Sequence, residues 1–264
     1  MQVTDTHCHL NLIQSEEDLE NIIENAINNN IYRIMVPGID LESSKRAISI
    51  AEKFDIVYAS VGIHPNDANT WKQDSFSTLK DLAQHPKVRA IGEIGLDFFR
   101  DYVPPLTQIH VFKEQIKLAE YVGLPIIVHS RNAINEVIVQ LLEWKNNSIF
   151  FSQEQPLGVL HAFEGNLSQA HKITSQNFFI GIGGPITYKN SQVKQDIVKN
   201  IDINSIVLET DSPFLAPHPF RGSPNQPAYS KYIAEKIANL MEKPLKWILQ
   251  ETTKNANKIF AWEQ

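Results

Sequence analysis

Along the chain, short apolar runs of strand length alternate with longer stretches that carry apolar residues on one helical face. The periodicity predicts strands near Val3–His7, Tyr32–Val36, Val57–Ile63, Val88–Ile94, Pro125–His129, Leu157–His161, Phe178–Ile182 and Ser205–Glu209. Helical patterns fall between them, near Glu16–Asn29, Leu41–Phe54, Asp74–Gln84, Pro105–Val122, Ala133–Lys145, Ser168–Ser175 and Ser191–Lys199. Two more, near Pro227–Leu240 and Pro244–Phe260, follow the last strand. Strand followed by helix eight times over predicts an α/β fold of parallel βαβ units, a (β/α)8 TIM barrel. Strand centres such as Ile126-Ile127-Val128 and Ile206-Val207-Leu208 are bulky throughout, as burial on both faces requires. A doubly wound open sheet is the alternative, but the Gly-rich phosphate turn is missing after its first strand. No linker-like block or short repeat interrupts the pattern, so residues 1–264 are expected to form one domain. The nearest thing to a long loop is Pro213–Pro227, directly after the eighth strand.

Composition narrows the class without naming a function. In 264 residues, 42% are hydrophobic and 20% charged, with 11 Gly and 14 Pro, which excludes disordered and collagen-like chains. The net charge of −6 argues against a protein that coats nucleic acid electrostatically, although it leaves room for a local basic patch. The lone cysteine, Cys8, has no partner for an intramolecular disulfide, which suits a reducing compartment. Neither a signal peptide nor an apolar run long enough to span a bilayer is visible. The expectation is a cytoplasmic protein with no membrane association and no obligate protein partner.

The histidines carry the chemistry. Of the nine, His7 and His9 end the first predicted strand, His64 follows the third, His129 ends the fifth and His161 the sixth. Glu93 closes the fourth strand, and Asp211 lies just beyond the eighth. In a barrel these positions share the C-terminal rim, where such folds do their chemistry. The others, His85, His110, His171 and His218, sit in helices or turns. Residues two apart on a strand share a face, so His7 and His9 point inward together while Cys8 points away. Asp5, one layer deeper, is placed to accept a ligand histidine's second N–H. Four histidines with Glu93 and Asp211 exceed the needs of one four-coordinate ion, which suggests two divalent ions bridged by Glu93. Zn, Mn, Mg, Ni and Co all suit such donors. Taken singly, each motif has a plainer reading: His-x-His as a packed pair, Asp211 as a helix cap or turn before Ser212-Pro213, and His64 as a turn residue before Pro65.

The motifs also resemble those of a family. Thr4-Asp5-Thr6-His7-Cys8-His9-Leu10, Gly62-Ile63-His64-Pro65, Gly92-Glu93-Ile94-Gly95-Leu96-Asp97, His129-Ser130-Arg131 and Glu209-Thr210-Asp211-Ser212-Pro213 resemble TatD-type metal-dependent hydrolases, in order and over almost the whole chain. So do the Arg221-Gly222…Asn225-Gln226-Pro227 segment and the helix Thr253–Phe260. The resemblance implies an amidohydrolase-type barrel that hydrolyses phosphodiesters, often of DNA. By matching positions, His7 and His9 would bind one ion and Glu93 would bridge. His129 and His161 would hold the second, and Asp211 would bind metal and handle the proton. Asp5 and Glu209 would support the ligands from behind. Ala162, Glu164 and Gln226 depart from the common pattern while the His161 ligand is kept.

The expected substrate is DNA or a short single strand, gripped by His64, Arg131 and Arg221. For the two arginines, surface ion pairing is the plainer role. Phe98, Phe163, Phe214 and Tyr188 near the rim either stack bases or simply cover the barrel mouth. Two other functions fit the same ligands: hydrolysis of an amide, lactone or aminoacyl ester, and a non-catalytic protein that retains its metal.

Overall fold

Eight strands form one parallel sheet in sequence order: β1 Val3–Asp5, β2 Ile31–Pro37, β3 Val57–Val61, β4 Val88–Asp97, β5 Ile126–Arg131, β6 Gly158–Leu160, β7 Phe178–Ile182 and β8 Ile206–Leu208. The computed structural model describes residues 2–148 and 155–262. The sheet closes on itself through backbone bonds just past the strand ends. Thr6 N–H donates to Leu208 at 2.9 Å, Asp211 N–H to His7 at 2.8 Å, and His9 N–H to Ser212 at 2.7 Å. The helices are α1 Glu16–Asn28, α2 Leu41–Lys53, α3 Ser75–Ala83, α4 Pro105–Val122, α5 Ile134–Asn147, α6 Leu167–Thr174, α7 Gln192–Asn200, α8 Ser230–Met241 and α9 Leu245–Phe260. The expected α/β TIM barrel is the fold found.

Local chemistry sets the helix limits. Asp40 and Ser43 form a reciprocal capping box at the start of α2, and Asn166 with Gln169 does the same for α6. Pro105 opens α4, where its missing N–H costs nothing, and Gly123 closes it in the left-handed conformation at φ 69°. Several elements differ at their ends from the sequence reading: β1 stops at Asp5, β3 at Val61, β6 at Leu160 and β8 at Leu208, so His7, His9 and His161 lie just past their strands. The turn Pro227–Tyr229 is a 3-10 helix, so α8 begins only at Ser230. Strand β4 runs three residues past the predicted Ile94, because Gly95, Leu96 and Asp97 keep pairing with His129, Ser130 and Arg131 of β5. Gly95 makes this possible. It sits at φ 142°, and a side chain there would meet the His129 carbonyl at 2.0 Å.

Two apolar layers fill the structure. Outside, the helices pack their buried faces on the sheet. Inside, Met35, Tyr58, Ala90, Ile127, Val159, Phe179 and Val207 meet Ile259, Phe260 and Trp262 of the C-terminal segment. The Tyr58 hydroxyl donates to the Trp262 carbonyl at 2.9 Å, fixing this plug at the N-terminal end of the barrel. Two residues further along the same strands come His129, His161 and Glu209, on the same inward face at the opposite end. The polar cluster therefore lies above an apolar floor. Among the described residues no helix is long and apolar enough to cross a membrane.

Candidate metal centre

Glu93 is the hub of the cluster. Its carboxylate is buried and meets the side chains of five histidines. Oε1 lies 2.8 Å from His129 Nδ1, 2.9 Å from His161 Nε2 and 3.5 Å from His64 Nε2. Oε2 lies 3.3 Å from His7 Nε2 and 3.6 Å from His9 Nε2. Asp211 completes the ring, with Oδ1 3.4 Å from His9 Nε2 and 3.8 Å from His7 Nε2. Three overlapping groups have ligand atoms within 4.8 Å of one another: His7, His9 and Asp211; His7, Glu93 and His161; and His64, Glu93 and His129.

This donor set fits divalent ions. Imidazole nitrogens face each other at 3.1 Å in both the His7–His9 and the His129–His161 pairs. The His7 and His161 rings stack 3.9 Å apart within 10° of parallel. So many buried lone pairs converging on two carboxylates cannot all be satisfied by the few protons the rings carry, whereas cations satisfy them directly.

Burial and charge pull the groups apart. Burial, together with neighbouring His161, lowers His7 to about 4, although Glu93 opposes the change. Burial also works against a charged His161, but the Glu93 carboxylate outweighs it and raises that imidazole to about 9. Burial alone would raise Glu93 and Asp211; the surrounding imidazoles instead hold both below the usual carboxylate range. Glu93 is thus an anion at neutral pH, as a bridging ligand must be.

The supporting residues act differently from the sequence expectation in one respect. Asp5 does not receive an imidazole N–H. It accepts the backbone N–H of His7 at 3.3 Å, the backbone N–H of Thr210 at 2.8 Å and the Thr210 hydroxyl at 2.5 Å. Asp5 lies below the rings, so it ties the end of β1 to the segment bearing Asp211 through the main chain. Burial raises its carboxyl to about 8. Glu209 likewise works through a backbone group: Oε1 accepts the N–H of Ala162, the residue after His161. Its carboxylate occupies the space that a side chain at Gly181 would fill, and burial pushes it up to about 7. Cys8 points away from the ligands, is buried, and lies 2.9 Å from the Ser212 hydroxyl.

His64 and Asp211 each occupy the turn considered for them and also face the cluster. The His64 Nδ1 accepts the Asn66 N–H at 3.1 Å and caps a 3-10 turn, while Nε2 faces Glu93. Asp211 sits at φ 56° and its carbonyl accepts the Phe214 N–H at 2.9 Å, so the turn itself aims the carboxylate. Asp97 is the residue that sequence reasoning left inside its motif without a role. Buried at the end of β4, it accepts the N–H groups of Phe99 and Arg100, each at 3.0 Å, and lies 3.6 Å from His129 Nε2. The signal was an acidic residue four positions after Glu93 (Asp97 on β4), facing the rim.

A pocket of about 540 Å³ opens over His129, His161 and Asp211. Arg100, Arg131 and Lys194 of α7 line it, with Phe214 and Leu215 from the segment after β8. Lys194 donates to the Phe163 carbonyl at 2.5 Å. Arg221 is not among the lining residues. It is exposed and stacks on Tyr188 at 4.5 Å, and among the described residues it forms no ion pair. Phe163 is buried but lines the pocket wall, Phe98 packs against the core, and Phe214 is exposed and lines the pocket too. Tyr188 is occupied, donating to the Ala216 carbonyl at 2.9 Å. Glu164 lines the pocket at its rim.

Comparison with known proteins agrees with this architecture. The family model described as TatD related DNase matches residues 4–261. The metal-dependent hydrolase YabD of Bacillus subtilis (strain 168) is 41% identical over 256 residues, covering 97% of this chain and 98% of the relative. A protein of Edwardsiella piscicida named 3'-5' ssDNA/RNA exonuclease TatD is 30% identical, over 94% of this chain and 95% of the relative. Among solved structures, the TatD homologue YjjV from Escherichia coli K12 superposes with a TM-score of 0.89 at 30% identity, covering 98% of each chain.

Proposed function

The chain belongs to the TatD family of metal-dependent hydrolases, and from that premise we propose that it cleaves phosphodiester bonds at the end of an unpaired nucleic-acid strand. One observation carries the reading. Three members of the cluster, His129, His161 and Asp211, share one pocket with three cationic side chains, Arg100, Arg131 and Lys194. A neutral amide, lactone or ester has no use for such a wall, whereas a phosphodiester is held by it. The pocket's volume suits a small ligand and therefore a strand end, not the flank of a duplex.

His7, His9 and Asp211 would hold one divalent ion, and the histidines that meet Glu93 Oε1, His129 and His161 with His64 beside them, would hold a second. When bound, two such ions polarise the phosphoryl oxygen and lower the pKa of water towards about 7. Asp211 would accept the proton of the attacking water on the carboxylate oxygen not turned to His9 and His7, and return it to the departing oxygen. Of the two ring carboxylates it is the one that lines the pocket, its side chain 15% exposed against 3% for Glu93. Asp5, Glu209 and Asp97 keep the ligand-bearing segments in place. Arg131 and Lys194, both lining the pocket, orient the phosphate.

A substrate panel tests the reading. With divalent metal supplied, single-stranded oligonucleotides and simple phosphodiesters are hydrolysed at least about tenfold faster than amides, lactones or aminoacyl esters. Preference for a carbonyl substrate would overturn the phosphodiester assignment and leave the hydrolase intact.

A further inference from the structure

The loop from β4 to α4 leaves aromatic faces in solvent although it is rigidly held. Phe99 is 58% and Tyr102 62% exposed. The loop's backbone has little freedom. Asp97 accepts the N–H groups of Phe99 and Arg100, Gln108 donates to the Val103 carbonyl at 2.8 Å, and Val103 is buried against Ala68, Val111 and Trp71. With the backbone fixed, neither ring can fold into the core.

Each ring carries a cation. The Arg131 guanidinium lies 3.9 Å above the Phe99 ring, and that of Arg100 lies 5.5 Å from the Tyr102 ring and donates to its hydroxyl at 3.1 Å. Arg100 and Arg131 also line the pocket over the metal centre. The rim is therefore a strip of alternating aromatic faces and guanidinium groups that runs out of the pocket. One acid, Asp101, lies within it.

Resting on the proposed phosphodiesterase reading, we infer that this loop is a docking track for the unpaired strand behind the bond being cut. Phe99 and Tyr102 stack its bases while Arg131 and Arg100 meet its phosphates. Aromatic side chains take any base that presents a free face, and cations beside them track the backbone. A duplex hides its base faces in its own stack, so the track selects single strands. The same geometry makes binding length-dependent, since Phe99 and Tyr102 lie outside the residues that line the pocket and are met only by a strand that extends beyond it.

The test is equilibrium binding of a fluorescein-labelled single-stranded decanucleotide to the protein, in chelator so that nothing is cleaved. The Phe99→Ala/Tyr102→Ala double variant should weaken binding about tenfold or more. The same decamer as a duplex should bind wild type at least about tenfold more weakly. Tyr121→Ala is the control, a ring 69% exposed at the far end of α4, and it should leave affinity unchanged. Binding by the double variant within twofold of wild type, or equal binding of duplex and single strand, overturns the track. Adding divalent metal to the bound wild-type complex separates the two claims: tight binding without cleavage keeps the track and defeats the phosphodiesterase reading.

Discussion

At the scale of single residues, the centre separates ligands from a proton carrier by exposure and by partners. Glu93 is enclosed by imidazoles on both oxygens, so its carboxylate has no face left for a substrate. Asp211 meets His7 and His9 with one oxygen while its side chain lines the pocket. Replacing it with asparagine keeps a carbonyl donor but removes the proton acceptor. For Asp211→Asn we expect kcat to fall by about a hundredfold or more, with bound metal measured alongside to separate the two roles. Undiminished turnover at normal metal content would take the proton-transfer role away from Asp211.

At the scale of elements, α4 shows what holds the rim. Gln108 and Gln115, seven residues apart and thus on one helix face, are both buried and both bond the main chain at strand ends. Gln115 accepts the Ile63 N–H at 2.7 Å and donates to the Ile63 carbonyl at 2.9 Å. Gln108 does the same for Asp97, at 2.8 and 2.9 Å. Each amide replaces a strand neighbour, for Ile63 just beyond β3 and for Asp97 on the side facing β3, whose pairing with β4 ends at Ile91. Gln115→Leu leaves two buried backbone groups without partners, at a cost of about 1–3 kcal/mol each. We expect a fall of several degrees in the thermal midpoint, readable by calorimetry. An unchanged midpoint would show that water or a shifted backbone takes over those groups.

These glutamines also show where sequence reading stops. The alternation of Ile126-Ile127-Val128 with an amphipathic helix is local, and so the barrel was legible from it. His-x-His is equally local, because alternation along extended backbone puts both rings on one side even though His7 and His9 lie just past the end of β1. Asp5 was misread for the opposite reason: parity gave its face but not the long-range fact that Thr210, 205 residues away, would claim its oxygens. Phe163 and Phe99 were separated only by the turn each occupies. No periodicity shows that one is enclosed and the other left in solvent.

At the scale of the whole molecule, charge is distributed against its own total. The chain carries −6, yet Arg100, Arg131 and Lys194 line a pocket shared with His129, His161 and Asp211 of the candidate metal centre. Global acidity keeps nonspecific polyanion binding low, while the pocket offers positive charge only where the chemistry takes place. The apolar plug around Phe260 and Trp262 closes the other end of the barrel. The central claim, hydrolysis by divalent metal held in the Glu93 cluster, is met most directly by following cleavage of a single-stranded oligonucleotide through chelation and metal return, in wild type and in Glu93→Gln. The account predicts that cleavage stops in chelator, returns with a divalent ion in wild type, and does not return in Glu93→Gln. Full-strength cleavage by protein shown to be free of metal would contradict it.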